Sequence, residues 1–351
     1  MDVIGCMITV KKSILNKVFR INEWLLAKLL FNLAIGLFLL LVADSGSRAM
    51  FKPVMLIILY ITSVGAFGYF INDLFDRKTN FKSGQDCKKA KLPLSARILI
   101  PAALLAAASF PFVFLLENPR NYLVFLFIHV ILLFTYSVPG MKIKNNVLGL
   151  FWDALYSYAM PALICSEIVR QCYVIKDLTM AQTIFPLVWL LLLGLRSIIN
   201  HQLKDLSVDT LSGIKTFVIA IGSKAAYKMS LIITALEIII FAIIVVAVFD
   251  VLWKIAALAL LFFTIIEAIF LHTSLKKMFH DGKFWAVLNH FYDYYLFMGV
   301  MFLMAWQLNP LYFLVPVFYF LYRLSFFKWF YYHVILWIYY KTLGLMGRFR
   351  R

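Results

Sequence analysis

Two acidic clusters, each at the end of a long apolar run, are the residues of this chain best suited to chemistry. The first is Asn72 to Asp76, which reads NDLFD, and the second is Asp205 to Asp209, which reads DLSVD. A carboxylate near lipid is costly, about 2.5–3.5 kcal/mol at mid-bilayer on insertion scales. Two such clusters at matching positions in an otherwise apolar chain therefore indicate a bound cation.

Helical spacing groups the oxygen donors of each cluster. If the first cluster continues the helix of its apolar run, Asn72, Asp76 and Asn80 share one face, and Asp73 lies about 100° away. The second cluster repeats this four-residue spacing, with a histidine one turn back into the membrane: His201, Asp205 and Asp209. Each run thus predicts a polar stripe on one side of a helix end.

The chemistry that fits these stripes is Mg²⁺ with a phosphorylated substrate. Magnesium keeps several waters and is held by one or two carboxylates together with substrate phosphates. Basic residues lie near both clusters, including Arg77 and Lys78 at the first and Lys204 and Lys215 at the second. A diphosphate needs metal and cationic neutralisation to become a good leaving group. Taken alone, the basic run is typical of a solvated loop. Because basic residues lie near both acidic clusters, however, the pattern favours a site for a metal ion and a diphosphate.

The composition predicts an all-α, polytopic membrane helix bundle. Of 351 residues, 64% are hydrophobic, and the mean hydropathy is +0.89. The apolar runs are near the roughly 20 residues that cross a bilayer. They predict spans that include a second at Val54 to Ile71, a fourth at Tyr122 to Tyr136 and a sixth at Ile184 to Leu195. We expect a cytosolic N-terminal segment at residues 1–22 and a bundle of about nine core transmembrane helices at 23–306. One or two further aromatic-rich hydrophobic helices and a basic tail are expected at 307–351.

The charge distribution predicts the orientation. Net charge is +17, and the lysines and arginines fall mainly in the loops that share a side with the N-terminus. By the positive-inside rule these loops are cytosolic, and they carry both acidic clusters. The chain would lie in the plasma (inner) membrane if it is bacterial. No zinc-finger spacing or arginine-rich arm is present, so no nucleic-acid partner is expected.

These motifs together resemble the UbiA-type superfamily of intramembrane prenyltransferases. That family has a first motif NDxxDxxxD and a second motif DxxxD, on cytosolic loops after the second and sixth of nine helices. The chain reads NDLFDRKTN over Asn72 to Asn80 and DLSVD over Asp205 to Asp209. Further matches are Gly213 and Thr216 after the second motif, and the Tyr136 to Pro139 turn with Lys144 downstream. The last acidic position of the first motif is Asn80, which can coordinate magnesium but adds no charge.

The resemblance implies an enzyme that moves an isoprenyl group from an Mg²⁺-bridged isoprenyl diphosphate to a lipophilic or aromatic acceptor. The metal ligands it implies are Asn72, Asp76, Asp205 and Asp209, with Asp73 as an additional candidate. The diphosphate ligands it implies are Arg77, Lys144, Arg196 and Lys204. An aromatic-rich bundle with 34 Phe, 18 Tyr and 8 Trp could also stabilise an allylic cation.

Two ionisable residues within or beside the spans are candidates for the base that takes the acceptor proton. These are Asp153 and His201, and hydrogen bonding between helices is an equally plausible role for both. Two other functions remain open. Phosphoribosyl transfer to a polyprenyl phosphate on the same fold needs the same metal and diphosphate site. A cation-coupled transporter is less compatible, since transporters place their site near mid-bilayer and these clusters lie at span ends.

Overall fold

The computed structural model describes residues 19, 32, 51–75, 92–138, 141, 143, 147–172 and 180–248. Within these ranges the chain is helical apart from short connections, and it contains no strand. The α-helices are α1 Phe51–Phe75, α2 Leu94–Leu115, α3 Arg120–Ser137, α4 Gly149–Ala154, α5 Met160–Cys172, α6 Met180–Ser212, α7 Phe217–Ile221 and α8 Ser223–Val248. One π-helical turn, Leu155–Ala159, joins α4 to α5, so residues 149–172 run as one helix.

Five helices in the described ranges are long and apolar enough to cross a membrane. They are Lys52–Phe75, Leu94–Leu115, Arg120–Ser137, Ile184–Leu211 and Ser223–Val246. The predicted fold class, an all-α bundle of membrane helices, is confirmed. The total of about nine helices, the segment boundaries and the C-terminal helices also concern residues outside the described ranges and stay predictions.

Helix α6 is much longer than the apolar run from which it was predicted. Hydropathy predicted a span over Ile184 to Leu195, whereas the helix runs from Met180 to Ser212. Its 33 residues measure about 50 Å at 1.5 Å per residue. A hydrocarbon core is only about 30 Å thick, so several turns of α6 extend past it. The second acidic cluster lies on the part of α6 that follows Leu195, which we call its extension.

A glycine terminates α6 by the Schellman pattern. The backbone N–H of Ile214 donates to the carbonyl of Asp209 at 3.1 Å, and that of Gly213 donates to Thr210 at 3.2 Å. Gly213 has φ +69°, a left-handed conformation that glycine adopts without the Cβ penalty. This turn explains why a glycine follows the second acidic cluster, since it ends the helix and leads into α7.

An aromatic cluster joins α1, α2 and α3. Phe112 stacks on Tyr122 with ring centroids 4.2 Å apart, and Tyr60 meets the edge of Tyr122 at 6.3 Å. All three side chains are fully buried. The hydroxyl of Tyr122 donates to the backbone carbonyl of Ala108, so its polar end is satisfied inside the bundle.

Helices α6 and α4 approach closely at Gly194. A Cβ built there would lie 2.9 Å from Ala154 Cα and 3.0 Å from Tyr158 Cδ2. Distances that short are not tolerated between real atoms, so the crossing depends on the missing side chain. This crossing places α6 against the π-helical turn.

Polar contacts fix α6 to the helices that follow it. Arg196 Nε donates to Glu237 Oε2 on α8 at 2.6 Å, and both side chains are fully buried. One turn later, Ser230 Oγ donates to Asn200 Oδ1 at 3.0 Å. The backbone N–H of Val218 donates to Gln202 Oε1 at 3.2 Å. These contacts hold the α6–α8 hairpin in one register.

Candidate active site

A cavity of about 530 Å³ lies between α1, α3, the α4–α5 helix and α6. Asn72, from the first acidic cluster, lines it on α1. His201, one turn before the second cluster, lines it on α6. The helices that carry the two motifs therefore border one shared space. We call the end of the cavity near these two residues its mouth.

Helix α1 lines the cavity with a single stripe. The lining residues recur at helical spacing and are Tyr60, Ile61, Val64, Gly65, Gly68, Tyr69 and Asn72. The side chains at the Asn72 end are partly exposed, whereas Tyr60 at the other end has no exposed surface. The cavity lining therefore runs along α1 from a partly exposed mouth to a buried end at Tyr60.

The buried end of the cavity is formed by two polar side chains. A hydrogen bond of 2.8 Å joins Tyr60 Oη on α1 to His129 Nδ1 on α3. His129 is 3% exposed, and both residues border the cavity. Their polar atoms satisfy each other, as buried polar groups must in an apolar bundle.

A carboxylate on the α4 segment lies in the cavity wall. Asp153 is buried, and it accepts hydrogen bonds from Tyr156 Oη at 3.0 Å and Ser157 Oγ at 2.9 Å. All three residues border the cavity. The two donors belong to the π-helical turn, and such turns are frequent at functional sites because they redirect side chains. The result is a carboxyl group held by hydroxyl donors next to the cavity.

On α6 the second cluster continues from the cavity into a half-exposed region. Tyr158 Oη donates to Ser197 Oγ at 2.9 Å, and both residues border the cavity. His201 Nε2 lies 3.5 Å from Asp205 Oδ2, with 43% of the Asp205 side chain exposed. Four-residue spacing places Ser197, His201, Asp205 and Asp209 in one stripe along the helix.

The first cluster is described only as far as the end of α1. Ser137 Oγ donates to Asn72 Oδ1 at 3.5 Å, which links α1 to the start of the tyrosine-serine turn. Asp73 follows on the same helix and is partly exposed. Three predicted site residues lie outside the described ranges: Asp76, Arg77 and Lys144.

Several solved structures have the same fold. A UbiA homolog from Archaeoglobus fulgidus bound to GPP and Mg²⁺ matches with a TM-score of 0.57, at 16% identity, over 81% of this chain and 98% of that one. The same homolog bound to DMAPP and Mg²⁺ gives 0.58 at 16% identity, over 82% and 99%. The chain has the UbiA fold. A digeranylgeranylglyceryl phosphate synthase matches with 0.58 at 16% identity, over 81% and 96%.

The fold that the motif resemblance implied is thus confirmed. No protein-family model and no curated protein sequence matches the chain. The five apolar helices and the membrane fold also make this an integral membrane protein.

In this UbiA fold, the donors in the described ranges suit a loosely held magnesium ion. Asn72, Asp205 and Asp209 offer amide and carboxylate oxygens, the ligands that Mg²⁺ prefers. Among the described residues no three His, Cys, Asp or Glu side chains gather at one point. One or two carboxylates, completed by waters and substrate phosphates, are the usual protein contribution to a magnesium site.

Arg196 has a different environment from the one that the diphosphate role requires. Its guanidinium is fully buried and forms a two-pronged pair with Glu237, at 2.6 and 3.2 Å. A guanidinium already paired with a carboxylate has little positive charge to offer a diphosphate. Lys204, by contrast, is exposed on the extension of α6. Within the described ranges, Lys204 is therefore the better placed of the two cations to meet a phosphate.

Sequence reasoning missed much of the cavity lining. It did not single out Tyr60, His129 or the run Tyr156 to Tyr158. The available signal was the run of three hydroxyl side chains that begins three positions after Asp153, in an otherwise apolar span. Tyr60 and His129 are 69 positions apart in the sequence, so no local pattern predicts their contact.

Proposed function

We propose that this protein is a membrane-embedded prenyltransferase. It would move an isoprenyl group from an Mg²⁺-bound isoprenyl diphosphate to a lipophilic or aromatic acceptor. The observation that carries this proposal is the shared cavity, bordered by Asn72 from the first motif and His201 beside the second. The A. fulgidus homologs of the same fold are solved with GPP or DMAPP and Mg²⁺, which supports the donor and the metal.

The proposed diphosphate site is at the mouth of the cavity. Asn72, Asp205 and Asp209 would hold the ion, with Asp73 and Asp76 as further ligands. When bound, Mg²⁺ would neutralise the diphosphate oxygens and make the group a better leaving group. Lys204, Arg77 and Lys144 would supply additional positive charge to the same oxygens.

The reaction would proceed by heterolysis of the bond between C1 of the isoprenyl chain and the diphosphate oxygen. The electron pair leaves with the diphosphate, and C1 becomes an allylic cation. A nucleophilic atom of the acceptor then forms the new bond to C1 and loses its proton. Tyr136 and Tyr156, with ring centroids 4.9 Å apart, border the cavity near its mouth, and aromatic faces stabilise a nearby cation.

Asp153 and His201 are the proposed bases for the acceptor proton. Asp153 is buried and held by Tyr156 and Ser157, so its carboxylate points to a fixed position in the cavity wall. His201 is exposed and lies at the mouth, beside Asp205. His201 would be close to the proposed metal ligands. Asp153 is farther from them, so of the two bases it is the better separated from the metal ion.

We further propose that the mouth of the cavity and the N-terminus face the cytosol. This sidedness rests on the distribution of lysine and arginine between alternate loops. Single cysteines introduced at Lys204 and at Asn118 would test it, because these positions lie at opposite ends of the bundle. Labelling of the Asn118 cysteine, but not the Lys204 cysteine, by an impermeant maleimide added to intact cells would support it. The reverse pattern would refute it.

The function is tested with purified protein in lipid nanodiscs. Mg²⁺, geranyl or dimethylallyl diphosphate and a panel of aromatic and lipophilic acceptors are added, and lipids are analysed by mass spectrometry. We expect prenylated acceptor and free diphosphate, and a loss of about 100-fold or more in Asp205→Asn. Glu117→Gln, at an exposed carboxylate on the connection between α2 and α3, is the matched control and should keep its activity.

Two outcomes would refute the proposal. Full activity in correctly folded Asp205→Asn would exclude a role for this carboxylate in the reaction. Turnover of phosphoribosyl diphosphate with a polyprenyl phosphate, and of no prenyl diphosphate, would assign the same fold to phosphoribosyl transfer instead.

A further inference from the structure

The buried end of the cavity bears on the length of isoprenyl donor that the site accepts, an inference that rests on the proposed function. Tyr60 has no exposed surface and His129 is 3% exposed, although both border the cavity. Their hydrogen bond of 2.8 Å joins α1 to α3 across this end. The wall there is therefore closed by a tyrosine and a histidine that hold each other in place.

The Tyr60–His129 pair is backed by packed aromatic rings. Tyr122 meets Tyr60 edge-on at 6.3 Å, and Phe112 stacks on Tyr122 at 4.2 Å. Tyr122 and Phe112 are also fully buried. Since interiors packed in this way yield little to an added group, Tyr60 has no space into which it can retreat.

The depth of the cavity follows from the helix that lines it. Asn72 and Tyr60 both border the cavity on α1, twelve positions apart, which corresponds to about 18 Å. A chain residue with three backbone bonds spans about 3.6 Å when extended, so the four-bond repeat of an isoprene unit spans about 5 Å. Three extended units fit between the level of Asn72 and the ring of Tyr60, and a fourth does not.

We propose that the Tyr60–His129 pair is the floor of the isoprenyl-chain site and limits the donor to three isoprene units. The preferred donors are then isoprenyl diphosphates of up to fifteen carbons. The cavity wall between the mouth and the Tyr60–His129 pair suits such a chain, since its lining includes the apolar side chains of Ile61, Val64 and Leu133. Gly65 and Gly68 also border the cavity, and a Cβ built at Gly68 would lie 3.0 Å from Leu133 Cδ2, so α1 approaches α3 closely there.

Direct binding measures this limit without knowledge of the acceptor. Purified protein in nanodiscs with Mg²⁺ is titrated with geranyl, farnesyl and geranylgeranyl diphosphates, and inorganic diphosphate is used as a competitor. The wild-type protein should bind farnesyl diphosphate at least about tenfold more tightly than geranylgeranyl diphosphate, because a misfit of a few carbons costs that much in a packed pocket. Tyr60→Ala should remove this difference, whereas Tyr60→Phe keeps the ring and should keep the limit.

A second variant changes the depth in the opposite direction. Gly65 is seven positions from Asn72, about 10 Å along the helix, so a side chain there would leave room for two units. Gly65→Leu should weaken binding of farnesyl diphosphate by about tenfold or more while geranyl diphosphate still binds. Tyr227→Ala, at a tyrosine of α8 away from the described cavity lining, controls for a general loosening of the bundle.

The results separate this inference from the proposed function. Equal affinity of the wild-type protein for farnesyl and geranylgeranyl diphosphates would refute the proposal that the Tyr60–His129 pair limits the chain length. The prenyltransferase proposal would remain intact. An unchanged order of affinities in folded Gly65→Leu would do the same, even if Tyr60→Ala fails to fold. Absence of Mg²⁺-dependent binding of every prenyl diphosphate, and of inorganic diphosphate, would overturn both.

Discussion

The buried ion pair between Arg196 and Glu237 should dominate the response of this bundle to single substitutions. Two donors of the guanidinium reach the two carboxylate oxygens at 2.6 and 3.2 Å, and neither side chain has any exposed surface. The pair joins α6 to α8 across 41 positions of sequence. Glu237→Gln would leave the guanidinium buried opposite a neutral amide.

The magnitude follows from the asymmetry of buried pairs. Removing one partner leaves an uncompensated buried charge, which costs about 3–5 kcal/mol. At about 2 °C per kcal/mol for a chain of this size, the melting temperature should fall by about 6–10 °C. Replacing both residues with apolar side chains of similar volume, Arg196→Met with Glu237→Leu, should be close to neutral or stabilising, because neither charge then has to be desolvated.

Thermal unfolding of the purified variants in one detergent measures both effects. The matched control is the pair of Arg170 and Glu167 on α5, whose 2.8 Å contact is nearly as short but whose arginine side chain is 51% exposed. Glu167→Gln should cost only about 0–1 kcal/mol, because the arginine that it leaves without a carboxylate is solvated by water. The reasoning would be refuted if Glu237→Gln unfolded within 2 °C of the wild-type protein, or if the double variant were less stable than Glu237→Gln.

Three further substitutions test separate features. Gly194→Ala should destabilise the bundle by about 1–3 kcal/mol in thermal unfolding, because its Cβ would meet Ala154 at 2.9 Å; a neutral result would mean that this crossing is looser than the structure has it. Gly213→Ala should cost about 1 kcal/mol through its left-handed backbone alone, since nothing lies within 4 Å of the added Cβ, and an equal or higher melting temperature would contradict that strain. Asn80→Asp should retain activity and lower the Mg²⁺ concentration needed for half-maximal turnover, whereas a large loss of activity would show that the amide is required as such.

Helix existence could be read from hydropathy, but helix ends could not. The second apolar run, Val54 to Ile71, lies within the observed helix Phe51–Phe75, and the fourth run lies within Arg120–Ser137 in the same way. The largest difference is at α6, where the helix continues 17 positions past the predicted end at Leu195. Hydropathy reports where a segment contacts lipid, and a helix that leaves the membrane loses that signal while its backbone hydrogen bonds continue.

The same limit separates the local from the long-range features of the candidate site. Four-residue spacing placed His201 beside Asp205, and the structure has that contact at 3.5 Å. The pairing of Arg196 with Glu237 was not predicted, because a basic residue near an acidic motif has the same sequence signature whether it faces a phosphate or a distant carboxylate. Tyr60 and His129 were likewise unpredictable as a pair, since each is ordinary in an aromatic-rich span.

The two polar sides of α6 have different partners, and this explains how one helix can serve both structure and site. Arg196, Asn200 and Gln202 are buried against α7 and α8, and each has a hydrogen-bond partner there. Ser197 and His201 line the cavity on the neighbouring side, about 100° around the helix from Arg196 and Asn200. Rotation of α6 that would displace the acidic stripe must therefore break buried polar contacts in an apolar bundle, where few alternative partners exist. The polar residues that do not face the cavity are thus the ones that hold the acidic stripe in its orientation.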